Sequence, residues 1–250
     1  MADRREVLNI DETLDDLILG DMKLIQAVHG YRFSLDAVLL THFPELTGVS
    51  HIIDLGTGSG VIPLLLAARA PDLHITGIEL QPAMVKRAKR SVRLNRLEHR
   101  IEIIQADIKE IDRTLVGGSA ELVLSNPPFW KTGEGYLSSN TEEAIARHEL
   151  NLNLEELVDK GAYLLGQGGK LVIIHRAERL EEAMGIFRCH KLSPKRLRLV
   201  HSFVDRSATL FLLEGIKNRP GRLNILPPLV IYQKPGEYSD EIKQLYGGNK

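Results

Sequence analysis

The sequence predicts an α/β fold: a doubly wound, mostly parallel sheet of about seven strands, closed by an antiparallel last strand and preceded by a small amino-terminal extension. Three observations predict it. Short apolar runs alternate with helical patterns from residue 51 to about 187. The first run passes through a glycine-rich turn, Asp54-Leu-Gly56-Thr-Gly58-Ser-Gly60, directly into a helix. Asp54, Glu79, Asp107 and Asn126 stand at the ends of four successive strands, and ligands of open α/β sheets bind at those carboxyl ends.

Element by element, residues 1–30 form an extension with helical or hairpin elements around Leu14 to Val28, and Gly30 to Thr41 leads into a helix. The first sheet strand begins at His51, and the apolar run Val61 to Ala70 is its helix. Leu73 to Ile78 is the next strand, Pro82 to Leu94 a base-rich helix with proline at its start, and Ile101 to Gln105 a third strand. Glu121 to Ser125 is a buried strand that opens into Asn126-Pro127-Pro128-Phe129. Leu154 to Leu165 reads as an amphipathic helix, Lys170 to His175 as a buried strand and Ala177 to Phe187 as another helix. Leu197 to Ser202 and Thr209 to Glu214 are consecutive strands with a short loop between them, the antiparallel close. The tail holds Pro227-Pro228 and a short apolar run, with no helix-length core. The expected segments are therefore 1–50, an extension packed on the catalytic domain; 51–216, the sheet domain; and 217–250, the tail.

The turn after Ser125 carries the most information. Two prolines lock φ and remove backbone donors, which leaves carbonyl oxygens and the Asn126 amide unpaired at a strand end. That is an acceptor-rich cup for a planar NH2 group, with Phe129 as a stacking face. A purely structural turn is the alternative. Upstream, Gly56, Gly58 and Gly60 allow close backbone approach to a ligand at a helix start. A P-loop would need Gly-Lys-Ser/Thr, and the dinucleotide pattern would need glycine at Val61. An acid at Glu79 can accept from both ribose hydroxyls of a nucleoside, and Asp107 from an adenine amino group.

Net charge is −1, so global charge does not select a polyanionic partner, but its distribution is uneven. Nine acids face four bases over residues 1–50, while 186–222 holds nine bases against Asp205 and Glu214. Lys195, Arg196 and Arg198 in that cluster are candidate phosphate contacts. The basic run from Lys86 to Arg100 reads equally well as a solvated helix face. A lone Cys189 fits a reducing cytoplasm, and no apolar run approaches the ~18 residues that span a bilayer. The nine histidines lack metal-site spacing, so no metal is expected. The polar stretch between Trp130 and Thr141 suggests a lid, with a disordered stretch of no function as the alternative, and Arg147 is expected to meet a phosphate or that loop.

With these residues in hand, the chain resembles the Rossmann-like class I methyltransferases that modify planar nitrogens through an Asn/Asp-Pro-Pro-Phe/Tyr motif. More narrowly it is similar to the bacterial tRNA(Val) N6-adenine methyltransferase family. The resemblance rests on Phe33-Ser-Leu-Asp36-Ala-Val-Leu-Leu40, Asp54 to Gly60, Glu79, Asp107, Asn126 to Phe129 and Ala146-Arg147-His148-Glu149. It implies S-adenosylmethionine as cofactor, bound by Asp54, Gly56, Gly58, Gly60, Glu79, Asp107 and Asn126. It implies catalysis at Asn126, Pro127 and Phe129, with the adenosine 3′ of the anticodon as target and a tRNA partner. Tyr31, Phe33 and Asp36 are expected near the methionine end, with core packing the equal alternative for the two aromatics. Glutamine N5-methylation of a release factor and guanine N2-methylation of ribosomal RNA use the same motif and stay open. A non-catalytic RNA-binding scaffold on the same fold is the alternative of another class.

Overall fold

The computed structural model describes residues 8–17, 19–29, 32–127 and 152–247. Its first element is a hairpin, β1 (Glu12–Asp16) and β2 (Lys23–Ala27), closed by a 3-10 turn in which Gly20 and Asp21 take positive φ. The two openings that the sequence left for this segment thus resolve to the hairpin. α1 (Leu35–His42) follows and buries Ala37 to Thr41.

Strands β3 (His51–Leu55), β4 (His74–Glu79), β5 (Ile101–Gln105) and β6 (Ala120–Ser125) are parallel and alternate with α2 (Val61–Arg69) and α3 (Pro82–Leu94). α4 (Leu154–Leu164) opens with a capping box, in which the Asn153 side chain accepts from Glu156 N and the Glu156 carboxylate from Asn153 N. It feeds β7 (Leu165–Arg176), parallel to β6. After α5 (Leu180–Cys189), β8 (Leu192–His201) and β9 (Ala208–Lys217) form a hairpin whose second strand inserts between β8 and β7. The order is β8-β9-β7-β6-β3-β4-β5, with only β9 antiparallel to its neighbours.

The sheet counts nine strands rather than the expected seven, because the two-residue strands β10 (Asn224–Ile225) and β11 (Leu229–Val230) add to the outer edge of β8. The tail also continues further than its sequence suggested. A small ribbon, β12 (Tyr232–Lys234) with β13 (Glu237–Tyr238), leads into α6 (Asp240–Leu245), capped by Ser239. α6 is too short for a periodic signal, yet its Ile242 is fully buried.

Both faces of the sheet are covered. One core joins it to α1, α2, α3 and the tail, and the other joins it to α4 and α5. Central strands are therefore apolar on both sides: Ile52, Ile53, Leu122 to Leu124 and Leu171 to Ile174 have no exposure. What remains open is the rim where the parallel strands end.

Candidate active site

At that rim, Gly56, Gly58 and Gly60 have φ of 79°, 57° and 85°, left-handed values that side chains rarely tolerate. The turn is pinned from below. Gly56 N and Thr57 N both donate to Ile78 O at 2.9 Å, and Gly58 N donates to Glu79 Oε2 at 2.9 Å. A Cβ on Gly56 would point into open space, whereas one on Gly60 would come within 3.2 Å of Ala88 Cβ. The first leaves room for a ligand beside the backbone; the second lets α2 start close against α3.

Glu79 is buried, and its other oxygen accepts from Gln81 N at 2.8 Å, so the carboxylate is held rigidly at the edge of the cavity. Asp107 ends the segment after β5 and caps a 3-10 turn by accepting from Lys109 N at 2.9 Å. Asp54 is fully buried, and neither carboxylate oxygen has a hydrogen-bond partner. Burial pushes its pKa up to about 7; the nearby Thr57 hydroxyl opposes this without reaching hydrogen-bonding geometry, and the Glu79 charge adds to it.

Asn126 follows directly on β6, whose end is tied to β3 by Ser125 Oγ donating to Leu55 O at 2.8 Å. The Asn126 Oδ1 atom is buried without a partner, and Pro127 is buried beside it. One cavity collects these groups: Gly56 to Ser59, Glu79, Asp107, Ser125, Asn126 and Pro127 all line it. Five of the seven predicted cofactor residues (Gly56, Gly58, Glu79, Asp107 and Asn126) thus line one space with Pro127, expected with Asn126 to be catalytic, while Asp54 and Gly60 do not line it. Phe129, Arg147, Tyr31 and the 130–141 stretch fall outside the described residues. Lys195, Arg196 and Arg198 sit within β8, three strands from β6. Arg196 pairs with Glu214 at 3.3 Å and lies over the Phe43 ring at 4.7 Å, and Arg198 pairs with Glu241 at 2.7 Å.

A further wall holds Phe33, which the sequence placed near the methionine end, and Gln26, which sequence reading missed. Gln26 of β2, 1% exposed, lines the cavity with Phe33 and Ala37. Its Oε1 accepts from Phe33 N at 2.9 Å, and its Nε2 donates to Asp15, which Arg32 also contacts. The available signal was a lone amide inside the apolar run Leu24-Ile25-Gln26-Ala27-Val28. Asp36, next to that wall, accepts from Ser34 Oγ at 2.8 Å, and burial raises its pKa.

A Methyltransferase small domain model matches residues 35–188. The chain is 31% identical to a tRNA1(Val) (adenine(37)-N6)-methyltransferase of Porphyromonas gingivalis, over 86% of each chain. It is 33% identical to one of Mannheimia succiniciproducens, over 84% of each. The chain belongs to this methyltransferase family. In fold it is similar to a predicted O-methyltransferase from Agrobacterium tumefaciens, with a TM-score of 0.68 at 23% identity over 85% of this chain and 96% of that one. The protein is an S-adenosylmethionine-dependent methyltransferase on a Rossmann-like sheet. The orphaned oxygens of Asp54 and the open glycine turn suit such a cofactor, which brings a cationic amine and a nucleoside. Among the described residues no helix is long and apolar enough to cross a membrane, and no cluster of metal-ligating side chains occurs.

Proposed function

We propose that this methyltransferase acts in the cytoplasm on the N6 nitrogen of an adenosine in tRNA, the one 3′ of the anticodon of tRNA(Val). The observation that carries the reading is Asn126 Oδ1, a buried acceptor with no partner, on a residue that lines the cavity shared by the glycine turn, Glu79 and Asp107. Leaving such an atom unpaired costs stability, roughly 1–3 kcal/mol. An incoming amino group relieves that cost. The relatives named above carry the same activity in their names.

When bound, S-adenosylmethionine supplies a methyl carbon made electrophilic by its sulfonium. Asp54 would hold the cationic amine, the Gly56–Gly58 backbone the methionyl chain, Glu79 the ribose and Asp107 the adenine. Asn126 Oδ1 and the Pro127 carbonyl accept the two hydrogens of the target NH2. That favours a pyramidal nitrogen and turns its lone pair toward the methyl. Each acceptor is worth roughly 2–4 kcal/mol, by analogy with single groups aimed at a transition state. No base has to act before attack, because the proton leaves afterwards. Phe129 stacks on the extruded base and Arg147 meets a phosphate in this reading. Lys195 belongs to the RNA-facing set in this reading, and Arg196 and Arg198 only so far as their ion pairs with Glu214 and Glu241 can open.

The test is methyl transfer from labelled cofactor to unmodified tRNA, ribosomal RNA and release factor in parallel, with nucleoside and peptide mass spectrometry. N6-methyladenosine in tRNA(Val) is the expected product. Label in glutamine or guanine keeps the chemistry and overturns the substrate. With Asn126→Ala, turnover should fall at least a hundredfold, on the order of one lost acceptor, while calorimetric cofactor affinity stays within a few-fold. Equal loss of both would remove Asn126 from the amine-positioning role.

A further inference from the structure

A row of aromatic rings runs along the same rim as the reaction cavity. β8 is antiparallel to β9, β9 is antiparallel to β7, and β7 is parallel to β6, so β8 and β6 end at the same edge of the sheet. Just past β8, Phe203 meets Tyr232 at 5.6 Å with the rings tilted by 34°. Tyr232 stacks on Tyr238 at 5.2 Å and 13°, and Tyr238 on Tyr246 at 6.1 Å and 24°. Backbone bonds fix the row to the strand end: Tyr232 N donates to Ser202 O at 2.9 Å, and Ser239 N to Ile231 O at 2.8 Å. The far end of the row approaches the cavity wall. Tyr246 packs on the same core as Phe33 and Leu35, and it feels the charge of Asp36, between the cavity-lining Phe33 and Ala37.

Tail packing accounts for Tyr232 and Tyr246, which rest on the core, but not for the outer part of the row. The tail is already anchored by buried Leu229, Ile231 and Ile242, whereas Tyr238 is 38% exposed and Val204, next to Phe203, is 85% exposed. Aromatic residues are only 5% of the chain, and three of its six tyrosines stand here. We propose that Tyr238 and Phe203, backed by the rings of Tyr232 and Tyr246, form a stacking surface for unpaired nucleotides of the RNA substrate that flank the target adenosine. The proposal rests on the reading of the chain as an RNA methyltransferase. Every base has a π-face, so an aromatic row accepts loop nucleotides with little regard to sequence. Loop bases are the ones free to splay onto it. Arg206, exposed three residues after Phe203 and making no ion pair among the described residues, is the cation available to a neighbouring phosphate.

The experiment measures anisotropy of a labelled anticodon stem-loop at several salt concentrations, together with methyl-transfer kinetics. It compares the wild type with Tyr238→Phe, Tyr238→Leu and Phe203→Ala. Stacking predicts that the Leu and Ala variants bind the RNA roughly five- to a hundredfold more weakly and raise its KM. Salt slope, cofactor Kd and kcat at saturating RNA stay unchanged, and Tyr238→Phe keeps wild-type affinity. Unchanged RNA affinity in both disruptive variants overturns the proposal. So does a loss that comes with a flatter salt slope, which marks phosphate contacts instead. A changed sedimentation coefficient with RNA affinity intact makes the row a contact between copies of the chain and also overturns it. Wild-type protein that methylates glutamine and no RNA removes the proposal together with the reading beneath it; RNA methylation indifferent to the row removes the row alone.

Discussion

Asp54 sets the pH behaviour of the site. Its folded pKa, about 7, lies above the ordinary carboxylate value of 3.8 because burial penalises the charge. A group shifted this way gives its full stability below pH 3.8, and that stability is lost as pH rises through about 7. The loss runs at about 1.4 kcal/mol per pH unit across the window. Asp54→Asn should therefore raise the Tm of cofactor-free protein at pH 8 relative to wild type, with the gain vanishing near pH 4; a pH-independent Tm difference would contradict the assignment. Cofactor affinity, read by calorimetry, should rise with pH up to about 7 in the wild type and lose that dependence in the variant. Gly77 bears on the same place. It lies opposite Asp54 in the β3–β4 register, and a Cβ there would come within 2.9 Å of Thr57 and Ile103. Gly77→Ala should cost about 1–3 kcal/mol by overpacking and weaken cofactor binding by displacing Thr57; intact affinity would show that the turn tolerates the shift. That Glu79, Asp107 and Asn126 line one cavity was legible from their strand-end positions; that Gln26 joins them was not. The unpaired state of Asp54 was not, since burial depends on contacts that no local pattern encodes.

Among the elements, the amino-terminal hairpin shows how a cavity wall is held without joining the main sheet. Its β2 edge pairs with side chains of α3. Ile25 N donates to Ser91 Oγ at 3.0 Å, Lys23 N to Asn95 Oδ1 at 2.9 Å, and Asn95 Nδ2 returns to Lys23 O at 2.7 Å. Two residues four apart on one helix face thus replace a neighbouring strand. Arg90 adds an ion pair to Glu12 at 2.8 Å. Part of the basic run from Lys86 to Arg100 is accordingly internal: Arg90 holds the hairpin, and Arg100, beyond α3, bonds to the carbonyls of Leu73 and Ala67. Asn95→Ala should cost about 1–3 kcal/mol and raise amide exchange across β2, with α3 protected as before; uniform exchange would deny the local role. The strands and helices of the sheet domain were legible because their periods are long and clean. The hairpin was only half legible, because a five-residue strand with a buried glutamine fits either period.

At the scale of the whole molecule, the tail closes the core instead of trailing from it. Ile242 sits fully buried in the cluster that holds α1 and α2. Ile242→Ala should cost about 2–5 kcal/mol and keep a single urea transition; a separate early transition would make the tail an independent unit. Doubly wound topology was legible from alternation, and the antiparallel close from two strands joined by a short loop. The extra edge strands β10 and β11 were not, since two-residue pieces owe their existence to the neighbour they pair with. Insertion of β9 between β7 and β8 has a consequence for the order of assembly. While the chain emerges, β7 has only β6 beside it, and its free edge belongs to Leu171 to Ile174, which are fully buried once β9 arrives. Until Ala208 to Lys217 are made, that edge is open to strands of other chains. Nascent or truncated molecules are thus the ones prone to aggregate, and a chaperone's window falls between completion of β7 and arrival of β9.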